Sequence, residues 1–164
     1  MGSSGARVGI VIGSSSDASV AHEAVRILEE LGIPYEQRVI SAHRTPREAA
    51  AYAETARERG LSVLIAVAGL SAHLPGVLAA YTTLPVIGVP VDTGPLHGFD
   101  ALMAMAQMPT GVPVATVGIG NARNAALLAA SILAVSDPVI AGRLAAWREK
   151  QAERVRQADE ELQD

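Results

Sequence analysis

Short β-branched runs alternate with longer helical stretches along nearly the whole chain, and this alternation is the strongest constraint on its fold. Val8–Ile12 is a continuous apolar run of the kind shown by a strand buried on both faces. Ala18–Leu31 follows, with Val20, Ala24, Ile27, Leu28 and Leu31 at helical spacing and Gly32 placed as a cap. The spacing then predicts strands over Tyr35–Ile40, Ser62–Ala68, Val86–Val89 and Val114–Val117. Between them it predicts helices over Pro46–Arg59, Leu74–Tyr81, Phe99–Gln107 and Asn121–Val135. After Asp137-Pro138 a last long helix runs from about 138 to 159. Such an order implies a parallel sheet with helices on both faces. Ligands of such sheets sit beyond the carboxyl ends of the strands, so the residues just after each strand carry the functional information.

No linker or internal repeat interrupts the 164 residues, so residues 7–164 read as one α/β domain behind a flexible leader, residues 1–6. Met1-Gly2-Ser3-Ser4-Gly5 lacks the basic and apolar regions of a signal peptide, and a cytoplasmic location is the default expectation. With no cysteine, disulfides, thiolate chemistry and Cys-ligated metals are excluded. A net charge of −4 argues against a nucleic-acid surface, while a helix N-terminus can still bind a phosphate against that balance.

Charge is unevenly spread: residues 60–136 carry only Asp92, Asp100 and Arg123, against 15 charged residues before them and 12 after. Pro75, Gly76, Pro85, Pro90 and Pro113 cut this stretch into pieces too short to span a membrane, which takes roughly 20 apolar residues. A middle section so poor in charge is expected to face other copies of the chain as well as its own core.

Three strand-end loops carry chemistry. Gly13-Ser14-Ser15-Ser16-Asp17 joins an apolar strand to a helix and suits a phosphate; it is neither a Walker loop nor a dinucleotide G-x-G-x-x-G. Its simpler reading is a helix cap by Ser16 or Asp17. In Ser41-Ala42-His43-Arg44-Thr45-Pro46, Thr45 as N-cap, Pro46 at the first helical position and Glu48 form the pattern of a capping box. His43 and Arg44 then sit on the turn, the one suited to proton transfer and the other to forking onto a phosphate. Gly69-Leu70-Ser71-Ala72-His73-Leu74-Pro75-Gly76 offers a second histidine, which could equally be bonded to a backbone carbonyl. Gly118-Ile119-Gly120-Asn121 could bring Asn121, Arg123 or Asn124 near a site, whereas Met103 and Met105 read as core. Trp147, Arg148 and Lys150 lie on the last helix, a docking arm onto neighbours. No H-E-x-x-H spacing and no G-x-S-x-G elbow is present; two histidines, one Arg, several Ser and an Asp at strand ends suggest acid–base chemistry on a phosphorylated metabolite, the bland alternative for His43 and Arg44 being a solvent-exposed turn with two incidental polar residues.

Those three loops resemble, in order and spacing, the class I N5-carboxyaminoimidazole ribonucleotide mutases, the catalytic subunits of phosphoribosylaminoimidazole carboxylase. Thr83–Val91, Gln107-Met108-Pro109, Gly111–Thr116 and Asn124–Ala130 are similar to that family too, so the resemblance runs from about Arg7 to Arg156. It implies a flavodoxin-like three-layer α/β/α sandwich with a central parallel sheet, assembled into a homo-octamer whose sites are lined by more than one subunit. The implied reaction moves a carboxylate from the exocyclic nitrogen of an imidazole ribonucleotide to a ring carbon, through carbon dioxide trapped in a closed pocket. By motif position His43 is then the general acid/base, Ser14, Ser16 and Arg44 hold the phosphate, and Asp17 holds the ribose. Ser41, Gly69, Ala72, His73 and Leu74 enclose the base and the carbon dioxide. No metal or organic cofactor is implied, and a separate ATP-dependent synthetase is the implied source of the carbamate.

Leu70 and Ser71 depart from the family pattern, which has a second Gly or Met and then Ala, and Thr110 stands where Gly is common. The rival readings are a class II carboxylase that uses free carbon dioxide and a non-catalytic nucleotide-binding module.

Overall fold

The computed structural model describes residues 7–163; the leader assigned to residues 1–6 lies outside them. Five parallel strands form one sheet in the order β2-β1-β3-β4-β5. They are β1 (Val8–Ile12), β2 (Tyr35–Val39), β3 (Val63–Ala68), β4 (Val86–Pro90) and β5 (Ala115–Thr116). The helices are α1 (Ala18–Glu30), α2 (Pro46–Thr55), α3 (Leu74–Tyr81), α4 (Phe99–Ala106), α5 (Ala122–Ala134) and α6 (Pro138–Gln163). The expected alternation is present throughout, with α6 reaching past the predicted Asp159 to Gln163.

Side-chain alternation on the buried strands divides the core in two. Val8, Ile10 and Ile12 of β1 and Val63, Ile65 and Val67 of β3 point to one face, against Ala24, Leu28, Ala125 and Ala129 of α1 and α5. Val11, Leu64 and Ala66 point to the other, against Ala49, Tyr52, Leu78 and Met105 of α2, α3 and α4. The result is a three-layer sandwich of the flavodoxin-like order. β2 is an edge strand, with Gln37, Arg38 and Val39 exposed. The other edge, β5, covers only Ala115–Thr116 of the expected Val114–Val117, although Val117 N–H still reaches Gly88 O at 3.1 Å. Met105 is buried as expected, whereas Met103 is exposed.

Helix ends follow their sequence signals in most places. Gly32, at φ +63°, closes α1 in a Schellman motif: Ile33 N–H reaches Leu28 O at 2.8 Å and Gly32 N–H reaches Glu29 O at 3.0 Å. Gly60 closes the turns after α2 in the same way, through Leu61 N–H to Ala56 O at 3.0 Å. Asp137 caps α6, accepting from Val139 and Ile140 N–H at 3.1 and 3.2 Å. Only Ile140 and Leu144 of α6 are buried, with Trp147 packed partly beside them. No helix among the described residues is long and apolar enough to cross a membrane.

In this strand order the chain leaves β1 toward β2 on one side and continues from β3 on the other. The loops after β1 and β3 therefore part and leave a crevice above the sheet.

Candidate active site

The loop after β1 starts with Gly13, whose N–H still bonds Val67 O at 3.0 Å and so ties it to the neighbouring strand. Ser14 is extended, and Ser15–Asp17 form one 3₁₀ turn before α1. The capping alternative does not hold for this loop, because α1 receives no side-chain cap at all. Instead Ser14 Oγ accepts from Ser16 N–H at 3.4 Å. The Ser16 hydroxyl lies 3.0 Å from Ser14 Oγ and 3.2 Å from Asp17 Oδ1, where it can donate to the carboxylate. Asp17 is the single buried charged residue among the described residues, 8 % exposed. Burial pushes its carboxyl above the usual value, against the hydrogen bond from Ser16.

In the loop after β2 the predicted capping box does not form. Thr45 is at the N-cap with Pro46 in the first turn, but its side chain makes no cap bond. Its φ of −132° and ψ of 59° turn the hydroxyl back onto Ser41. There Thr45 Oγ1 accepts from Ser41 N–H at 3.0 Å and donates to Ser41 O at 3.1 Å. The loop is closed on itself, which presents His43 and Arg44 outward. Arg44 rests on Ser41 Oγ through its N–H at 3.2 Å and its Nε at 3.4 Å, and on Gly13 O through Nη2 at 3.4 Å. The guanidinium contacts are long and weak, so the group is free to turn onto an anion.

The loop after β3 is the most constrained. Gly69 lies so close to the loop after β4 that a Cβ there would run into Thr93 Cγ2. Leu70 (φ +54°) and Ala72 (φ +43°) are both left-handed without being glycine. Ala72 N–H bonds Gly69 O at 3.1 Å, which closes the turn and delivers His73 to the N-cap of α3. Of the two readings open for His73, a backbone partner is not what it finds. His43 Nε2 and His73 Nδ1 are 2.8 Å apart, with ring centroids at 4.9 Å and planes at 82°. One of the two nitrogens carries hydrogen and the other accepts it.

These loops enclose one cavity of about 330 Å³. It is lined by all ten residues that the resemblance singled out: His43, Ser14, Ser16, Asp17, Ser41, Arg44, Gly69, Ala72, His73 and Leu74. Ser71, Leu70 and Thr93 also line it. Leu70 and Ser71 stood out in the sequence as departures flanking the pocket wall, which is where they lie, and Thr93 was missed. Its signal was its place just beyond β4, the strand that pairs with β3. The loop opening α5 does not reach the cavity. Asn121 is used as a cap, accepting from Asn124 N–H at 3.1 Å. Arg123 lines a separate groove with Glu23, Arg26, Glu29 and Glu30.

Among the described residues no group of three or more His, Asp or Glu side chains is arranged to hold a metal ion. The lining pairs one cationic and hydroxyl-bearing end (Arg44, Ser14, Ser16) with an imidazole pair and an apolar wall of Ala42, Ala68, Ala72 and Leu74. It can bind an anion at one end and move a proton at the other.

Known proteins similar to this chain point in the same direction. The family described as AIR carboxylase matches residues 7–154. N5-carboxyaminoimidazole ribonucleotide mutase of Pyrococcus horikoshii is 52 % identical over 157 residues, which are 96 % of this chain and 89 % of the relative. The protein of the same name from Bacillus subtilis is 54 % identical over 157 residues, covering 94 % of this chain and 97 % of the relative. Among solved structures, Treponema denticola PurE superposes with a TM-score of 0.87 at 30 % identity, over 96 % of this chain and 98 % of that one.

Proposed function

The chain belongs to the AIR carboxylase family, and on that footing we propose that the His43 cavity isomerises N5-carboxyaminoimidazole ribonucleotide to 4-carboxy-5-aminoimidazole ribonucleotide. The activity is that of a mutase of purine biosynthesis, an isomerase acting on a small imidazole ribonucleotide. The observation that carries the assignment of the site is the His43–His73 pair at 2.8 Å, in the same cavity as Arg44 and the Ser14–Asp17 loop.

Arg44, Ser14 and Ser16 bind the phosphate at the mouth of α1, whose first turn has no side-chain cap to compete. Asp17 accepts from a ribose hydroxyl. Ser41, Gly69, Ala72, His73 and Leu74 surround the base. The carbamate C–N bond breaks, carbon dioxide leaves, and the electron pair stays on nitrogen, which takes a proton from His43. The ring carbon then attacks the trapped carbon dioxide, and His43 removes the proton from that carbon. The proton lent in the first half is regained in the second, so no cofactor is consumed. His73 holds the His43 ring and fixes which nitrogen bears hydrogen. Positioning and water exclusion, rather than a strong nucleophile, account for the rate.

Exposed Tyr81, Leu96, Phe99 and Met103, all from the charge-poor stretch, support assembly of the chain with copies of itself, here proposed as a homo-octamer. A cytoplasmic location and supply of the carbamate by an ATP-dependent synthetase complete the proposal.

The test assays the two substrates separately. Turnover of the carbamate without added bicarbonate is expected. Dependence on bicarbonate, with aminoimidazole ribonucleotide as substrate, would sink the mutase reading in favour of direct carboxylation.

A further inference from the structure

One residue of the cavity wall, Thr93, comes from the loop after β4; the others come from β1, β2 and β3 loops and strand ends and from the start of α3. The last sheet rung, Val91 N–H to Ala68 O at 3.0 Å, sets this loop beside the loop after β3. The Thr93 side chain is oriented by an absent one. Gly69 leaves the space that Thr93 Cγ2 occupies, and a Cβ there would collide with that methyl. With the methyl seated on Gly69, the tetrahedral Cβ turns the hydroxyl to another side. Unlike Thr45, Thr55, Thr82 and Thr83, whose hydroxyls bond within the chain, Thr93 has no hydroxyl partner among the described residues. A half-buried hydroxyl without a partner, on the wall of a cavity, is a donor available to a ligand.

Sheet order tells which part of the ligand it meets. Adjacent strands lie about 4.8 Å apart and β4 is two strands from β1, so Thr93 stands roughly 10 Å along the sheet from the Ser14–Asp17 loop. That is comparable with the span from phosphate to base in a ribonucleotide whose phosphate rests on Ser14, Ser16 and Arg44. The base end carries the carboxylate, yet the side chains of Ala68, Ala72 and Leu74 offer it no donor. The two histidines are bonded to each other, and Ser41 Oγ already accepts from Arg44. Ser71 stands where the family pattern has Ala, so its hydroxyl is not what the shared reaction needs.

We propose that the Thr93 hydroxyl donates a hydrogen bond to the carboxylate that the reaction moves, and so sets a preference for carboxylated ribonucleotides over aminoimidazole ribonucleotide. The inference rests on the mutase reading above. A carboxylate sheds hydration on entering the cavity, and a donor already in place restores part of what it loses. Substrate and product both carry the group, so the contribution is to affinity rather than to the rate of the chemical step.

The test is calorimetric titration with 4-carboxy-5-aminoimidazole ribonucleotide, which carries the carboxylate, and with aminoimidazole ribonucleotide, which lacks it. Thr93→Val keeps the methyl on Gly69 and the shape of the side chain but removes the donor. It is expected to weaken binding of the carboxylated ligand about tenfold, in keeping with one hydrogen bond to a charged group. Binding of aminoimidazole ribonucleotide should not change. Thr93→Ser keeps the hydroxyl and gives up the methyl, and should hold the wild-type ratio between the two affinities. If Thr93 served only to pack against Gly69, the order would reverse: valine would be harmless, serine would melt lower, and the two ligands would move together.

Equal changes for both ligands in Thr93→Val, or none for either, overturn the inference and leave the mutase reading standing; so does loss of the ratio in Thr93→Ser. Failure of the wild-type chain to turn over the carbamate, or to bind the carboxylated ribonucleotide, overturns both. Should Thr93→Val not fold, Thr93→Ser against Thr93→Ala decides, since that pair differs by the hydroxyl alone.

Discussion

A proton carrier works only if its ring is held, and His43 is held by a residue thirty positions away. Replacing it with asparagine keeps the size and one polar edge but removes the titrating imidazole. His43→Asn is expected to lower kcat by about 10²-fold or more, while calorimetry still detects binding of a ribonucleotide phosphate through Arg44 and the Ser14–Asp17 loop. Retained turnover would refute the role. Asp17 gives a second prediction, with a definite sign. Its carboxyl titrates higher in the folded chain than in the unfolded one, so the folded state holds the extra proton between the two values. Stability therefore falls as pH rises through that window and stays reduced above it. Asp17→Asn is expected to melt at a higher temperature than wild type at neutral pH, with the gain vanishing below the ordinary carboxylate range; an equal gain at every pH would refute the sign. His43 and Arg44 were legible as chemistry because a strand end preceded them. Their pairings were not, since sheet order brings His73 across to His43 and turns Arg44 onto Gly13, and no local pattern reports that.

Strands and helices were legible nearly throughout, because fully buried parallel strands leave uninterrupted apolar runs and Gly32 and Gly60 mark helix ends. What pattern could not report is how closely two elements approach. Gly9 reads as an ordinary member of the β1 run, yet a Cβ there would run into the Tyr52 hydroxyl of α2 and stand 2.9 Å from Leu64 Cδ2. Gly9→Ala is expected to cost about 1–3 kcal/mol, measured by urea unfolding, with little change in KM of the protein that remains folded. The capping box that does not form has a related cause. A Thr three residues ahead of a Glu matches the pattern, but the Thr45 hydroxyl found the nearer Ser41 peptide groups first. Arg143 was equally hidden: from α6 it donates to Leu31 O at 3.0 Å and Gly32 O at 3.2 Å, satisfying carbonyls at the end of α1.

A single chain leaves Phe99 64 % and Val135 89 % exposed, more apolar surface than a lone protein readily keeps in water. Self-association is therefore expected, and the octamer proposed on the family resemblance predicts a light-scattering mass near eight times 16.9 kDa; a mass of one chain would refute self-association outright. Which faces meet was beyond the reach of composition, which signalled only that residues 60–136 hold too little charge for a free surface. Every residue lining the cavity falls between Gly13 and Thr93, and the chain from Gly94 onward contributes none. Within one chain the cavity is thus written in a single stretch of the gene, and one crossover after it would keep that lining whole. A chimera joining residues 1–98 of this chain to the remainder of a mutase from another organism is expected to keep this chain's substrate affinity while adopting the donor's heat resistance.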